Sequence, residues 1–267
     1  MNVGRIFVVA NATKPDALRA LSDLKVWCQA RRIEIVPVDA EPPIDSEGAI
    51  VLALGGDGTV LRAASLFQAS TLPILGVNVG SLGFLTQAPL SQLTRALECI
   101  VAGEFSVEER MRLAYEAGGI EGSVLNDLVV TDLASQRFCD LVLSWGDGQA
   151  AGYPGDGLIV ATATGSTAYS LSAGGPVIVP PAACILVTPL AAHRLGLRPI
   201  IFPPEETLRV VARSEAQLIA DGDAVGRLRE GSEAVIRRFP NPTRLVRLSD
   251  AKPFFGVLDE KLNWAGA

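Results

Sequence analysis

The sequence predicts an N-terminal α/β domain built on a parallel sheet and a C-terminal β-sandwich domain. Three observations predict this fold class. Apolar runs in the first part of the chain are continuous rather than alternating, which is typical of parallel strands covered on both faces. Most of these runs are followed by a stretch with helical periodicity. From about residue 105 the segments become short, β-rich and interrupted by Gly, Pro and Asp-Gly turns.

In the first part of the chain the β-branched and apolar runs predict strands over residues 5–10, 34–38, 49–54 and 73–79. Apolar residues recur on one helical face after the first and third of these strands, and again over residues 90–101. Strands alternating with helices indicate a sheet with helices on both faces.

The second part is predicted as short strands, and the tail as a helix. Examples of these strands are residues 108–116, 124–131, 138–145, 158–163, 208–211, 217–220 and 233–238, and the helical spacing covers 254–264. The predicted organisation is therefore an α/β domain over 1–105, a β-sandwich over 106–245, and a segment over 246–267 that packs back on the first domain.

Composition excludes several classes of protein. The chain has 267 residues, 49% of them hydrophobic and 19% charged, which is enough apolar material for folded domains and rules out intrinsic disorder. Its net charge of −6, with scattered basic residues, argues against nucleic acid as a partner. Four separated cysteines and one histidine predict neither a zinc site nor a disulfide framework. Without a signal sequence or membrane span, we expect a cytoplasmic protein that does not bind membranes.

Four Asp-Gly dipeptides begin at Asp57, Asp147, Asp156 and Asp221, and Asp-Gly is first of all a turn signal. Asp147 follows an alternating strand, so a hairpin turn explains it. Asp57 lies in Gly-Gly-Asp-Gly-Thr between a buried strand and a helix, where open α/β sheets bind ligands and where backbone N–H groups can approach a phosphate. A carboxylate repels phosphate, so Asp57 is interpreted as a base or a metal partner. A plain strand-to-helix turn is the alternative.

Two other segments are rich in glycine or hydroxyl groups. Residues 76–84 form a second Gly-rich loop after a strand, but their spacing does not match the dinucleotide fingerprint. Residues 155–176 run from an apolar strand into six hydroxyl side chains, where Ser166 or Thr167 could cap a short helix. Capping needs one or two hydroxyls, so six indicate a polar ligand.

Together these segments resemble the motif series of the NAD kinase family. The matching segments, in order, are 55–59, 76–84, 125–127 and 164–176, and the similarity continues to residues 261–264. The 164–176 block is highly specific to that family, whereas the 55–59 element also occurs in diacylglycerol and sphingosine kinases. The resemblance implies a Rossmann-like first domain, a β-sandwich second domain, and assembly as a homodimer or homotetramer.

The resemblance also implies a reaction, namely transfer of the terminal phosphoryl group of ATP or polyphosphate to the 2′-hydroxyl of the adenosine ribose of NAD, which produces NADP. It implies a divalent cation, magnesium, together with ATP. No residue is assigned to the metal. Two alternatives stay open on the motifs: a lipid kinase, which shares only the 55–59 element, and a non-catalytic dinucleotide sensor, for which loss of Asp57 would be the mark.

Individual roles follow from the resemblance. Asp57 matches the general base, Asn126 and Asp127 match a pair near adenine and a ribose, and Tyr169 would lie against the adenine. Arg62, one turn into the helix after the glycine loop, is a candidate from its position alone. The predicted substrate- and nucleotide-binding residues are Gly56, Gly58, Thr59, Arg62, Asn78, Asn126, Asp127, Arg137, Asp156, Thr164, Ser166, Thr167, Ala168, Tyr169, Ser170, Leu171, Ser172 and Asp223.

Three positions depart from the family pattern. Ala163 stands where the family usually has proline, Pro154 where many members have a basic residue, and Asp223 where glutamine is common. The last two changes affect charge near the predicted pocket. They leave the choice between NAD and NADH open.

Overall fold

The computed structural model describes residues 3–40, 48–132, 139–192, 194 and 196–263. The chain forms two compact units, one made of residues 1–109 and 243–267 and the other of residues 110–242. Across the described ranges, none of the helices is long and apolar enough to cross a membrane.

The first unit is built on a seven-stranded sheet in the order β2-β1-β3-β4-β19-β6, with β5 paired to β4. Its strands are β1 (Arg5–Ala10), β2 (Glu34–Pro37), β3 (Ala49–Gly55), β4 (Ile74–Asn78), β5 (Ala88–Pro89), β6 (Phe105–Arg110) and β19 (Thr243–Leu248). Strand β1 pairs in parallel with β2 and β3, and β4 pairs in parallel with β3, β5 and β19. Every residue of β3 and β4 is buried, as continuous apolar runs predict for parallel strands.

The α-helices in the described residues of this unit are α1 (Pro15–Arg31), α2 (Asp57–Leu66), α3 (Leu93–Ala102) and α5 (Phe254–Leu262). Helix α1 starts with proline in its first turn and ends at Arg32 in the left-handed region, with φ 56°. The helix predicted from residue 90 starts later, because Leu90–Gln92 form a 3-10 turn before α3. In α5, the Phe254 ring contacts Phe84, with ring centroids 6.0 Å apart.

The parallel register brings three loops to one edge of this sheet. Strands β1 and β3 run side by side to Ala10 and Leu54, and Gly55 in β3 is opposite Asn78 in β4. The loops that begin at residues 11, 56 and 79 therefore leave the sheet at its carboxyl edge, where α/β sheets bind ligands.

The second unit contains two six-stranded antiparallel sheets. The first, in the order β11-β10-β15-β18-β7-β8, is formed by β7 (Leu113–Ala117), β8 (Ile120–Val124), β10 (Cys139–Trp145), β11 (Gln149–Gly155), β15 (Leu208–Ala212) and β18 (Glu233–Arg238). The second, in the order β14-β13-β12-β9-β16-β17, is formed by β9 (Asp127–Asp132), β12 (Gly157–Ala161), β13 (Ile185–Leu190), β14 (Ile200–Phe202), β16 (Ala216–Ala220) and β17 (Asp223–Leu228).

The core of this unit draws on both sheets. Leu141 and Ile236 of the first sheet belong to one buried cluster with Val160 and Leu218 of the second. Strands β10 and β16 alternate buried and partly exposed residues, the pattern of a sheet with one covered face. A short 3-10 helix (Thr164–Thr167) and α4 (Tyr169–Ser172) follow β12.

The structure differs from the predicted strands at several places, and it agrees with the predicted turn at Asp147. The strand predicted over 108–116 is wrong as a single element, because β6 ends at Arg110 and β7 begins at Leu113 in another sheet. Strand β11, with two glycines and a proline, is not among the predicted strands and forms through pairing with β10. The prediction also does not name β5, β8, β13, β14, β17 or β19. The turn predicted at Asp147 is confirmed, since it lies in the β10–β11 hairpin between Gly146 and Gly148, both with positive φ.

Candidate functional site

In the first unit, the Asp57 carboxylate is fixed by the backbone of the neighbouring glycine-rich loop. Asp57 opens α2, and its Oδ2 and Oδ1 accept hydrogen bonds from the N–H groups of Phe84 (2.9 Å) and Leu85 (3.0 Å). A carboxylate in the first turn of a helix is also favoured by the helix dipole. The fold thus links the two loops predicted separately, 55–59 and 76–84, through one side chain.

Gly83 is glycine because the carboxylate occupies the space beside it. A Cβ at Gly83 would lie 1.9 Å from Asp57 Oδ1, closer than any side chain tolerates. The Gly83 N–H donates to Thr86 Oγ1 at 3.0 Å, and Thr86 is buried. The loop is therefore held from both sides, by Asp57 and by Thr86.

The other predicted residues of the 55–59 loop are neighbours of Asp57 in the chain, whereas Asn78 ends β4 opposite Gly55. Gly56 is the N-cap of α2, Gly58 is exposed with open space where a Cβ would stand, and Thr59 is buried. Asn78 is 2% exposed, and its side-chain nitrogen has no hydrogen-bond acceptor in the structure. Its Oδ1 would be 3.9 Å from a Cβ at Gly56, so the amide faces the start of the glycine loop.

Arg62 lies on the exposed side of α2. Its guanidinium donates to the carbonyl of Asp39 at 2.8 Å, beyond the end of β2. The structure therefore engages Arg62 with the backbone rather than leaving it directed at the Asp57 loop.

In the second unit, Asp221 organises the segment that contains Asn126 and Asp127. Its carboxylate accepts three backbone N–H groups, from Leu125 at 2.8 Å, Asn126 at 2.7 Å and Asp127 at 3.2 Å. Asp221 has a positive φ of 49°, an unusual conformation for a residue with a side chain. From the sequence, Asp221 is predicted only as an Asp-Gly turn, because a contact between residues almost 100 positions apart leaves no local signal.

A buried arginine lies near this carboxylate. Arg112 is 1% exposed, donates to Ser123 Oγ at 2.7 Å, and has its guanidinium 5.6 Å from the centre of the Phe239 ring. Burial lowers the pKa of Arg112 to about 10, and the charge of Asp221 opposes that shift. Arg112 therefore stays protonated at neutral pH, and its charge favours the ionised form of Asp221.

Asp127 is the acidic group in this segment with a strongly shifted pKa. It is 5% exposed at the start of β9, and burial, followed by the charge of Asp221, raises its pKa to about 7. Burial also raises the pKa of Asp221, but the three N–H groups and Arg112 oppose that shift. A carboxyl group poised near neutral pH is common at functional sites.

The hydroxyl-rich block packs directly against this segment. Thr162 Oγ1 donates to the Leu125 carbonyl at 2.6 Å, and the Thr162 N–H donates to the Asn126 carbonyl at 2.9 Å. A Cβ at Gly165 would lie 2.1 Å from the Asn126 carbonyl oxygen and 2.5 Å from its carbon. Gly165 is therefore required for the two chains to approach each other.

Most of the six hydroxyls have partners inside the protein, so their number does not by itself require a ligand. Ser166 and Thr167 donate to the carbonyls of Ala163 and Thr164, while Ser170 pairs with Thr188 at 2.8 Å. Thr164 Oγ1 accepts from Arg110 at 3.2 Å. The predicted capping role is wrong, since neither the 3-10 helix nor α4 has a side-chain cap, and both candidate hydroxyls donate to carbonyls instead.

The remaining predicted residues lie on or near the surface of the second unit. Tyr169 is 49% exposed at the start of α4, which suits a ring that stacks on a flat ligand. Asp156 and Asp223 are exposed, and Arg137 lies outside the described residues. The other members of the α4 segment, Ala168, Leu171 and Ser172, are half-buried or exposed.

The carboxylate at Asp57 fits a metal that arrives with a nucleotide. The described residues contain no cluster of three or more His, Cys, Asp or Glu side chains placed to hold a metal ion. Magnesium is often bound by one or two carboxylates together with substrate phosphates and water. Asp57 could serve as such a carboxylate, because its two backbone hydrogen bonds leave lone pairs on both oxygens.

Comparison with known proteins gives matches along most of the chain. Residues 7–105 match the family model of the ATP-NAD kinase N-terminal domain, and residues 125–248 match that of the ATP-NAD kinase C-terminal domain. The NAD kinase of Moorella thermoacetica is 38% identical, over 98% of this chain and 90% of that protein. The NAD kinase of Geobacter sulfurreducens is also 38% identical, over 97% of this chain and 98% of that protein.

Solved structures agree with the sequence comparison. An Archaeoglobus fulgidus NAD kinase in complex with ATP has a TM-score of 0.80 and 26% identity, covering 97% of this chain and 98% of that one. Yeast NADH kinase complexed with NADH shares the fold, with a TM-score of 0.89 and 21% identity over 100% of this chain and 89% of that one. With both family models and the curated relatives in agreement, the chain belongs to the NAD kinase family.

Proposed function

We propose that this protein transfers the terminal phosphoryl group of ATP or polyphosphate to the 2′-hydroxyl of the adenosine ribose of NAD, producing NADP. Family membership is the observation that carries this activity, and it makes the chain a phosphotransferase with an alcohol group as acceptor. The hypothesis of a lipid kinase loses its support, since both halves of the chain match NAD kinase models. The Asp57 carboxylate, which a non-catalytic sensor would lack, is present and fixed.

Asp57 is the proposed general base. Its position at the start of α2 is fixed by two backbone hydrogen bonds, so its carboxylate is preorganised. The O–H bond of the ribose hydroxyl breaks as its oxygen bonds to phosphorus, and the proton passes to Asp57. The bond from phosphorus to the leaving oxygen of the donor breaks in the same in-line displacement. The reaction needs no covalent enzyme intermediate.

Asn126 and Asp127 are the proposed dinucleotide-binding pair. Each of the two backbone N–H groups donates to Asp221, which fixes the main chain and leaves the two side chains to recognise adenine and a ribose. The exposed ring of Tyr169 is proposed to stack on the adenine. Positioning of this kind supplies much of the rate in phosphoryl transfer, because little covalent chemistry falls to the protein.

The proposed metal is magnesium, bound through the phosphates of ATP; Asp57 is assigned as the base, and no protein ligand is assigned to the cation. When bound, the cation neutralises charge on the phosphate groups.

We also propose a cytoplasmic homodimer or homotetramer, as the family resemblance implies. Light scattering coupled to size-exclusion chromatography tests the assembly, and a monomer at micromolar concentration would contradict it.

A coupled assay tests the activity and the open specificities together. Purified protein is given NAD or NADH as acceptor and ATP or polyphosphate as donor, with and without magnesium, and formation of NADP(H) is measured. We expect NADP from NAD and ATP only when magnesium is present. Absence of product in all combinations, with folded protein and a commercial NAD kinase as positive control, would contradict the proposed function.

A further inference from the structure

Lys14 lies at the same edge of the sheet as the Asp57 loop, although nothing in the motif series includes it. It is half-buried just before α1, and its ammonium donates a hydrogen bond to the carbonyl of Val79. Val79 in turn donates its N–H to the Gly55 carbonyl at 2.8 Å, and Asn11 donates to Leu54 at 2.9 Å. The loops after β1, β3 and β4 are thus connected, and Lys14 places a positive charge among them.

This charge has no counter-ion within the described part of the chain. No carboxylate oxygen there lies within 4 Å of Lys14 Nζ, and its one acceptor is the Val79 carbonyl. An ammonium has three N–H groups, so two remain available to a ligand. The contrast is Lys252, whose ammonium is paired with Glu260. The chain has only 4 lysines against 19 arginines, and the glycine loop at 55–59 contains neither.

A second observation points to a ligand at this place. The buried amide of Asn78 has a nitrogen without an acceptor among the described residues, while its Oδ1 is the atom on the Gly56 side. Asn78 directly precedes Val79, the residue that accepts from Lys14. The N-terminus of α2, a ten-residue helix, begins one residue after Gly56 and adds a partial positive charge. The Asp57 carboxylate, the negative group nearby, is already hydrogen-bonded by two backbone N–H groups.

We propose that Lys14 is a binding residue for the phosphate chain of the phosphoryl donor, which its ammonium contacts next to the glycine loop. The inference rests on the proposed function for the identity of the ligand. Lys14 neither forms nor breaks a covalent bond; it offsets the charge of the phosphate oxygens, as a lysine does in many phosphate sites. The ligand chemistry, a chain of linked phosphates, is common to ATP and polyphosphate.

The competing explanation is structural, because the Val79 hydrogen bond could merely tie two loops together. Three variants separate the two roles. Lys14→Met removes the charge but keeps most of the stem, Lys14→Arg keeps the charge, and Lys25→Met removes an exposed lysine from α1 as the matched control. Each is assayed with ATP and separately with polyphosphate, by varying the donor at saturating NAD and then NAD at saturating donor.

We expect Lys14→Met to lower kcat/KM for the donor by about 10- to 100-fold, the usual worth of a charged hydrogen bond, while KM for NAD changes less than about threefold. Lys14→Arg should recover much of the loss, and Lys25→Met should match the wild type. A loss with both donors assigns Lys14 to the shared phosphate chain, and a loss with one donor assigns it to that donor alone.

The proposal is overturned if Lys14→Met leaves the donor kinetics unchanged, or if it raises both KM values equally along with a lower melting temperature. A binding measurement without turnover distinguishes failure of the Lys14 proposal from failure of the proposed kinase function. Binding of magnesium ATP and of tripolyphosphate to wild type and to Lys14→Met is measured by calorimetry, without NAD and without turnover. Weaker binding by Lys14→Met would support the phosphate site even if no NADP forms.

Discussion

Replacing Asp57 with asparagine is expected to reduce both turnover and stability, and the structure shows why the two effects differ in size. In the wild type, each carboxylate oxygen accepts one backbone N–H, from Phe84 and from Leu85. An asparagine has one oxygen and one NH2 group, so one of these N–H groups would meet another donor. The general base would be lost at the same time.

The loss of stability can be worked from these contacts. One unmade hydrogen bond at a part-buried N–H costs about 1–3 kcal/mol, and loss of the negative charge from the first turn of α2 adds up to about 1 kcal/mol. The expected fall in melting temperature is therefore several degrees. Loss of a general base lowers kcat by roughly 10²- to 10⁴-fold, which is far more than a loosened loop should cost at a temperature where the variant stays folded.

A control variant loosens the same loop without touching the carboxylate. Thr86→Val removes the hydroxyl that accepts the Gly83 N–H at 3.0 Å, and this leaves one N–H without its partner, as Asp57→Asn does. Both variants are compared by thermal unfolding and by NADP formation at saturating NAD and ATP. We expect similar losses of melting temperature but a much smaller loss of kcat for Thr86→Val.

Two results would refute this reasoning. If Asp57→Asn retains kcat within about threefold of the wild type, Asp57 is not the base. If Thr86→Val loses as much kcat as Asp57→Asn, the geometry of the loop rather than the carboxylate accounts for the activity.

Three further predictions concern the second unit. Gly165→Ala places a Cβ 2.1 Å from the Asn126 carbonyl oxygen, so it should cost about 1–3 kcal/mol of stability and raise KM for NAD. The control is Gly152→Ala, which has open space at its Cβ and should change neither quantity. Thermal unfolding and steady-state kinetics of the two variants test this, and equal effects in both would contradict it. Asp127 has a folded-state pKa of about 7 against an ordinary value of 3.8, so its ionisation destabilises the fold as pH rises from about 4 to 7. Asp127→Asn should therefore gain stability relative to the wild type over that range, by up to about 4 kcal/mol. Denaturant titrations measure the difference in unfolding free energy between the two proteins, and a difference that does not vary with pH would contradict the prediction. Asp221→Asn breaks the set of three N–H contacts and should raise KM for NAD about tenfold while KM for ATP stays nearly constant; an equal rise in both would count against a role in dinucleotide binding.

Local sequence was enough to predict the fold class and the identity of the family. Strand β3 is a continuous apolar run ending at Gly55, and such a run is buried wherever it lies in a parallel sheet. The 164–176 block could be recognised because its residues are consecutive. The boundary between β6 and β7 was not predictable, because the chain changes sheet there without a change in strand-forming residues.

The tertiary structure decided which partners the predicted residues have. Asp57 could be placed at a strand end from its neighbours in sequence, but its contact with Phe84 and Leu85 depends on the pairing of β3 with β4. The hydroxyl count pointed to a ligand, yet Ser166 and Ser170 have protein partners that only folding brings near.

What the sequence determined by itself was therefore the fold class, the glycine loop at Asp57 and the family, since periodicity and consecutive motifs are properties of neighbouring residues. What only the tertiary structure decided was which distant groups hold these residues, namely the Asp221 carboxylate that accepts the Asn126 N–H and the Val79 carbonyl that accepts from Lys14. These contacts join residues 95 and 65 positions apart. Their physical reason is the packing of strands and loops, which no local pattern encodes.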